Sequence, residues 1–326
     1  MRAYITIVAL MASVAVVAQN TAREDSLIDV GRMWRDNKNY SLALDNFMMA
    51  GCEESQYEIA ATHYMMGKVG QALSECKSII DADGKYALDA EVLTGLCREK
   101  QGFERAAKHI YKKLVSEKNS ARAAYHYAAM LMRKGHLDDA EAMVQKSILI
   151  DKASPESHYL LASIEALKSN RFKTMLPLYY FLLINTDEDA QRQAYTQLVS
   201  LWRRSAQAMQ LIKSKRDVDP FNDDVDAHIN QWATSDSIAH LSGQEAIEAL
   251  CGRTDMLLQY LQENSENNLD FWQVAYSDFL VTLVPRNFVR PYVYYISDAK
   301  YHAEVLQWVS EEEYLFNEFR LWMEAQ

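Results

Sequence analysis

The sequence predicts an all-α protein built as an array of helix–turn–helix repeats, and three observations carry that expectation. Alanine recurs at a nearly fixed interval: Ala72, Ala106 and Ala140 stand 34 residues apart, with Ala43 before them and Ala208 after. Each alanine has companions at helical spacing. A bulky residue stands three before it (Tyr40, Val69, Phe103, Leu137 and, in a fifth unit, Phe172), and a core residue four after it (Phe47, Cys76, Ile110, Val144, Tyr179, Ile212). Both offsets fall on one face of a helix with 3.6 residues per turn. Glycine and proline, costly inside helices, number only 10 and 5 among 326 residues. A period of this length marks units that bury one face only against their neighbours. One small residue per unit sets where the paired helices cross closely.

The elements follow in order. Met1-Arg2 and the short apolar run from Ile5 to Val17 precede Val16-Val17-Ala18 and polar Gln19-Asn20-Thr21. The run is too short to span a bilayer comfortably, so residues 1–18 read as a cleaved signal peptide, with the mature chain starting at Gln19. Export to a periplasm or cell surface is the corresponding expectation. Residues 24–222 hold five to six repeat units. Their links are short and polar or glycine-bearing, as in Asp36-Asn37-Lys38-Asn39, Lys134-Gly135-His136 and Ser169-Asn170-Arg171. The fifth unit has Met175 in the alanine place, and the sixth keeps Tyr195, Ala208, Ile212 and a closing Asp219-Pro220.

The first helix of each unit carries its own pattern. Leu27-x-x-Val30-Gly31-x-x-Trp34 is followed by Ala43-x-x-x-Phe47, and Ala124-x-x-Tyr127-Ala128-x-x-Leu131 by Gly135-x-Leu137-x-x-Ala140. Tyr159-x-x-Ala162-Ser163 opens the fifth unit in the same way. This resembles the tetratricopeptide repeat, which implies a right-handed solenoid. The interval of 29 residues between Ala43 and Ala72 departs from the family and points to a shortened second helix or link there.

Residues 223–326 read as a degenerate repeat followed by capping helices. Aromatic residues crowd this region, among them Trp272, Tyr276, Phe279, Tyr292, Tyr294, Tyr295, Trp308, Phe319 and Trp322. Their helical spacing fits an apolar seal on the end of the array. A stacking platform for a glycan is the competing reading, and with it a glycan-binding or nutrient-uptake role.

Charge and motif content narrow the function. The formal charge is −11, and loss of Arg2 with the signal takes it to −12, which disfavours nucleic-acid binding. No other stretch is long and apolar enough to be a transmembrane helix. There is no glycine-rich phosphate loop, Gly-x-Ser-x-Gly elbow or His-Glu-x-x-His, so neither an enzyme nor a cofactor is expected. Asp217-x-Asp219 with Asp223-Asp224-x-Asp226 lacks the glycine and the closing glutamate of a calcium loop, and reads as a solvated link. Cys76 and Cys97 sit on consecutive helices and form the one pair placed for a disulfide; the other reading is that both are small buried hydrophobes.

The family resemblance implies a groove lined by the first helix of each repeat, holding a peptide or a partner helix. By register the lining includes Arg32, Arg35, Tyr57, Ala61, Tyr64, Glu91, Arg98, Arg122, Tyr125 and Arg133. Tyr57, Tyr64, Arg98, Arg122, Tyr125 and Arg133 are the expected binding residues, since aromatic and arginine side chains dominate binding energy. The lysine and asparagine clamp of the family's chaperone-binding members is absent. Tyrosine with arginine suits a polar or acidic peptide. The expected function is therefore a non-catalytic scaffold for a protein or peptide partner.

Overall fold

Every described stretch that carries the alanine period is helical. The computed structural model describes residues 21–203, 219–232, 241–264 and 270–325, and no strand occurs among them. The signal-like segment at 1–18 and the sixth unit's Ala208 and Ile212 lie outside the described residues. The chain divides into two compact units, one ending at Tyr127 and the other beginning at Ala128.

The first unit contains α1 (21–36), α2 (Tyr40–Ala50), α3 (Glu53–Met65), α4 (Val69–Ala82), α5 (Ala87–Lys100), α6 (Glu104–Lys118) and the first half of α7 (Ala121–Arg133). Sequence neighbours from α2 to α6 pack on one another, and α3 also touches α5 directly. The odd-numbered helices thus stand side by side, with the even-numbered ones packed against them.

One turn joins the helices within each pair. A residue with positive φ follows the first helix: Lys38, Gly67, Gly102, Gly135 and Ser169, with φ of 62, 78, 82, 75 and 64°. The amide of the next residue reaches back to a carbonyl five positions earlier, as in Asn39 to Trp34, Phe103 to Arg98 and His136 to Leu131. This closes the last helical turn with a left-handed residue, where glycine alone avoids the Cβ penalty.

This turn, rather than the alanine count, sets the repeat register. Five residues after each positive-φ position stand Ala43, Ala72, Ala107, Ala140 and Thr174, all buried. The third-unit alanine at the crossing is therefore Ala107. Ala106 is exposed on α6, so the expected 34-residue step is off by one there. In the fifth unit the residue is Thr174, not Met175, and it is only 1% exposed. The same slip moves the core partner in the third unit from half-buried Ile110 to fully buried Tyr111.

The corrected register exposes a second small residue, twelve positions before the first: Gly31, Ala60, Gly95, Ala128 and Ala162, each buried. Its role shows at the glycines. A Cβ on Gly31 would run into the Phe47 ring, and one on Gly95 would lie 2.5 Å from Tyr111 Cε1. Each of these two crossings seats one large ring against a missing side chain. Ala107→Leu should accordingly overpack its crossing and cost about 1–3 kcal/mol, whereas Ala106→Leu should stay within about 0.5 kcal/mol of the parent. Urea titration of both variants checks this; equal losses would restore the 34-residue step.

Cys76 and Cys97 lie in one apolar cluster with Tyr57, Ala60, Ala72, Ile79, Ala90 and Leu93. Both are free thiols, in contrast to the disulfide reading, as are Cys52 and Cys251. They fill the core as small apolar side chains, and burial pushes their thiols up, to about 12 for Cys76 and about 11 for Cys97.

The second unit continues with α8 (Leu137–Ile150), α9 (Pro155–Leu167), α10 (Arg171–Ile184) and α11 (Glu188–Arg203) as further packed pairs. It then adds α12 (Pro220–Trp232), α13 (Gly243–Asn264), a composite helix α14 (271–283), α15 (Val289–Glu311) and α16 (Glu313–Glu324). α14 includes a π-helical turn at Gln273–Ser277 and ends in a 3-10 turn at Val281–Leu283. α15 breaks helical geometry at Tyr301. It packs against α10, α11, α13 and α16.

Tyrosine hydroxyls tie these helices together. Tyr292 donates to the Tyr179 carbonyl at 2.9 Å, and the Tyr179 and Thr254 hydroxyls are 2.8 Å apart. Trp202 Nε1–H donates to the Tyr179 hydroxyl at 3.2 Å. His158 is fully buried between α9 and α14. Its Nε2 lies 2.9 Å from the Lys152 carbonyl, which can only accept, so Nε2 carries the proton. Nδ1 then accepts from the Tyr276 hydroxyl at 2.7 Å. Burial lowers the His158 pKa to about 4, and the ring is neutral at pH 7.

Candidate functional site

The first helices of the first unit present one connected row of side chains. Arg32 on α1 reaches across to α3, with Nη2 2.6 Å from Glu54 and 2.5 Å from Glu58. Arg35 pairs with the other oxygen of Glu58, a carboxylate only 5% exposed. Glu54 continues the row to the Tyr86 hydroxyl before α5; that hydrogen bond and Arg32 hold its carboxyl below the usual range, against burial. Tyr86 stacks on Tyr57 with centroids 5.7 Å apart and planes 19° from parallel. The Arg122 guanidinium of α7 covers the Tyr57 ring at 5.7 Å and bonds Asp89 of α5 at 2.7 Å. Further along, Lys100 donates to the Tyr64 carbonyl at 2.8 Å, and its ammonium lies 4.5 Å from the Tyr64 ring centroid.

The row follows from the corrected register. Six positions before the buried small residues stand Glu54, Asp89 and Arg122 on successive first helices; four positions after stand Arg35, Tyr64 and Glu99. The 34-residue step places Arg98 one position off the second of these rows, where Glu99 stands, and Glu91 one position off the offset of Tyr57 and Tyr125, where Val92 stands. Glu99 faces the Tyr111 hydroxyl at 3.4 Å. Arg98 is half-buried and donates to Gln101, the residue that follows its own helix.

The other expected binding residues divide by exposure. Tyr57 is 8% exposed and belongs to the core rather than to an open surface. Tyr64 and Tyr125 are half-buried, and Arg122 is exposed. Tyr125 meets His126 edge-on at 5.0 Å. Arg133 is exposed at the end of α7, in the second unit. Sequence reasoning missed Glu54, Glu58, Tyr86, Asp89 and Lys100, the partners that neutralise or cover the arginines and tyrosines. Arg32, Arg35 and Arg122 therefore carry no excess positive charge toward an acidic peptide. Opposite charges at the same offset in successive units, Asp89 and Arg122, were a signal for that pair; Arg32 and Arg35 meet Glu54 and Glu58 at different offsets, and no comparable signal marks them.

The C-terminal rings are packing residues. Tyr276, Tyr292 and Tyr294 are fully buried, and Trp272, Phe288, Trp308 and Phe319 nearly so. Tyr294 stacks on Trp308 at 4.1 Å and donates to Glu248 at 2.6 Å. Tyr295 and Tyr314 are the exceptions among the described C-terminal rings, with 39% and 77% exposed.

Among the described residues, no group of three or more His, Cys, Asp or Glu is placed to hold a metal ion. None of the described helices is long and apolar enough to cross a membrane.

The chain matches no family model and no curated protein. It is similar to a solved thermophilic TPR protein of Thermus thermophilus. That match has 18% identity and a TM-score of 0.44, covering 54% of this chain and 99% of that one. It is also similar to a tetratricopeptide repeat protein of Parabacteroides merdae. Here identity is 12% and the TM-score 0.36, covering 81% of this chain and 99% of that one.

Proposed function

We propose that this chain is a non-catalytic scaffold, exported to a bacterial periplasm or cell surface, that holds a protein or peptide on the first-helix face of its first unit. The observation that carries this reading is the row running from Arg35 through Glu58, Arg32, Glu54, Tyr86, Tyr57 and Arg122 to Asp89. It connects charged and aromatic groups from four successive first helices, with Arg122 exposed and Tyr57 and Glu58 buried within the row. Because the ion pairs already fix these side chains, a partner would meet a preordered surface and lose less entropy on binding. The charge balance of the row favours a partner with mixed polar and apolar contacts over a strongly acidic one.

The test begins with a pull-down from an envelope extract, run beside a glycan array. One dominant polypeptide partner supports the scaffold reading, and glycan hits without such a partner overturn it. Sequencing the N-terminus of the envelope-derived protein tests export, with Gln19 the expected first residue. Arg122→Ala and Tyr125→Ala should then each weaken partner binding by about 2 kcal/mol if they are central contacts. Their helicity should match the parent, since both side chains stand outside the crossings between paired helices. Unchanged affinity in both would move the site off this face.

A further inference from the structure

The second unit contains a half-open pocket of about 370 Å³ between α10, α12, α13 and α14. Its volume is that of a small-ligand site. Phe172, Phe221, Tyr260 and Trp272 supply ring surface, and Lys173, Asp219, Asn222, Asp224 and Asp270 supply polar groups.

The charges are unequal, with three carboxylates facing one ammonium. Asp219 bonds Lys173 at 2.7 Å and accepts the Asn222 amide at 3.1 Å. Asp224 accepts the Tyr260 hydroxyl and Asp270 caps Gln273, and among the described residues of the pocket wall neither carboxylate has a cationic partner. His228, one turn along α12 and outside that wall, stands 3.8 Å from Asp224. Asn222 is 2% exposed, and its Oδ1 is a buried acceptor with no donor among the described residues. Lys173 shows what these walls accommodate, since its ammonium lies 5.3 Å from the Trp272 ring centroid. Negative potential, aromatic faces and an unused acceptor select for a ligand rich in donors and positively charged. They select against phosphates and carboxylates.

We infer that this pocket binds an organic cation, an alkylammonium or guanidinium group, with Asp224 as its counter-ion and the Tyr260 and Phe221 rings as its apolar walls. The group could come from a small basic solute or from a lysine or arginine side chain. The site lies wholly in the second unit and is independent of the face proposed above.

Calorimetry and ligand-observed NMR on the full chain test it, with n-butylammonium, n-butylguanidinium and a capped Ala-Ala-Lys-Ala-Ala peptide as probes. n-Butanol and methyl glucoside serve as neutral comparisons. The cations should bind saturably and at least about ten times more tightly than n-butanol, with affinity falling as salt rises. Asp224→Asn, which keeps an acceptor for the Tyr260 hydroxyl, should weaken cation binding about tenfold. Lys173→Met removes the resident ammonium and should tighten it. Tighter binding of the peptide than of the free amine assigns the site to a partner's side chain, and the reverse to a solute; either supports the cation site. Absence of saturable cation binding overturns the inference. So does preferential binding of methyl glucoside, or an Asp224→Asn protein that binds the cations as well as the parent.

Discussion

Truncating Tyr111 to alanine should destabilise the first unit by about 3–5 kcal/mol, the range for removing a fully buried ring. The ring is 0% exposed and occupies the space left by Gly95, with the Tyr127 and His126 rings at 6.5 and 6.3 Å. Gly95 has no side chain to extend into the vacancy, so the cavity cannot be filled from the facing helix. Ile110→Ala, one position earlier, should cost only about 1 kcal/mol because that side chain is half-buried. A two-unit chain need not unfold in one step, so hydrogen exchange of the α5 and α6 amides is the appropriate measurement. A larger loss in Ile110→Ala than in Tyr111→Ala would invalidate the register drawn from the turns.

Acidification should weaken the second unit through His158. Its pKa falls from an ordinary 6.5 to about 4 on folding, chiefly by burial. As pH drops below 6.5 the unfolded chain takes up the proton first, so stability falls between pH 6.5 and 4 and levels off below. The full window amounts to about 3 kcal/mol. Glu165 works in the opposite sense. Burial and the nearby Glu141 charge raise its pKa well above the carboxylate range, while Asn170 Nδ2 donates to it at 2.8 Å. For this group the unfolded chain loses the proton first, and stability falls as pH rises through and above 4.5. The raw stability curve sums both slopes, so each must be read as a difference from a variant. His158→Gln, which can retain one donor and one acceptor but does not titrate, should lose less stability than the parent between pH 6.5 and 4. Parallel curves for the two proteins in that window would show that His158 titrates normally in the fold.

Composition and periodicity determined that the chain is helical and repetitive, because scarcity of glycine and proline and a 3.6-residue apolar spacing are properties of single helices. They also located the links, since glycine or a polar residue must follow each first helix. The tertiary structure decided the register. An alanine is legible in sequence whether it sits at a crossing, like Ala107, or on the surface, like Ala106; only the left-handed turn at Gly102 and the facing Gly95–Tyr111 contact distinguish them. That one-residue difference moved Arg98 and Glu91 off the first-helix row. Packing likewise decided the fate of the C-terminal aromatics, whose helical spacing is the same for a sealed core and an open platform. The ion pairs that cancel Arg32, Arg35 and Arg122 join residues 22 to 33 positions apart. A charge at that separation acquires a partner only when neighbouring repeats bring the two helices together.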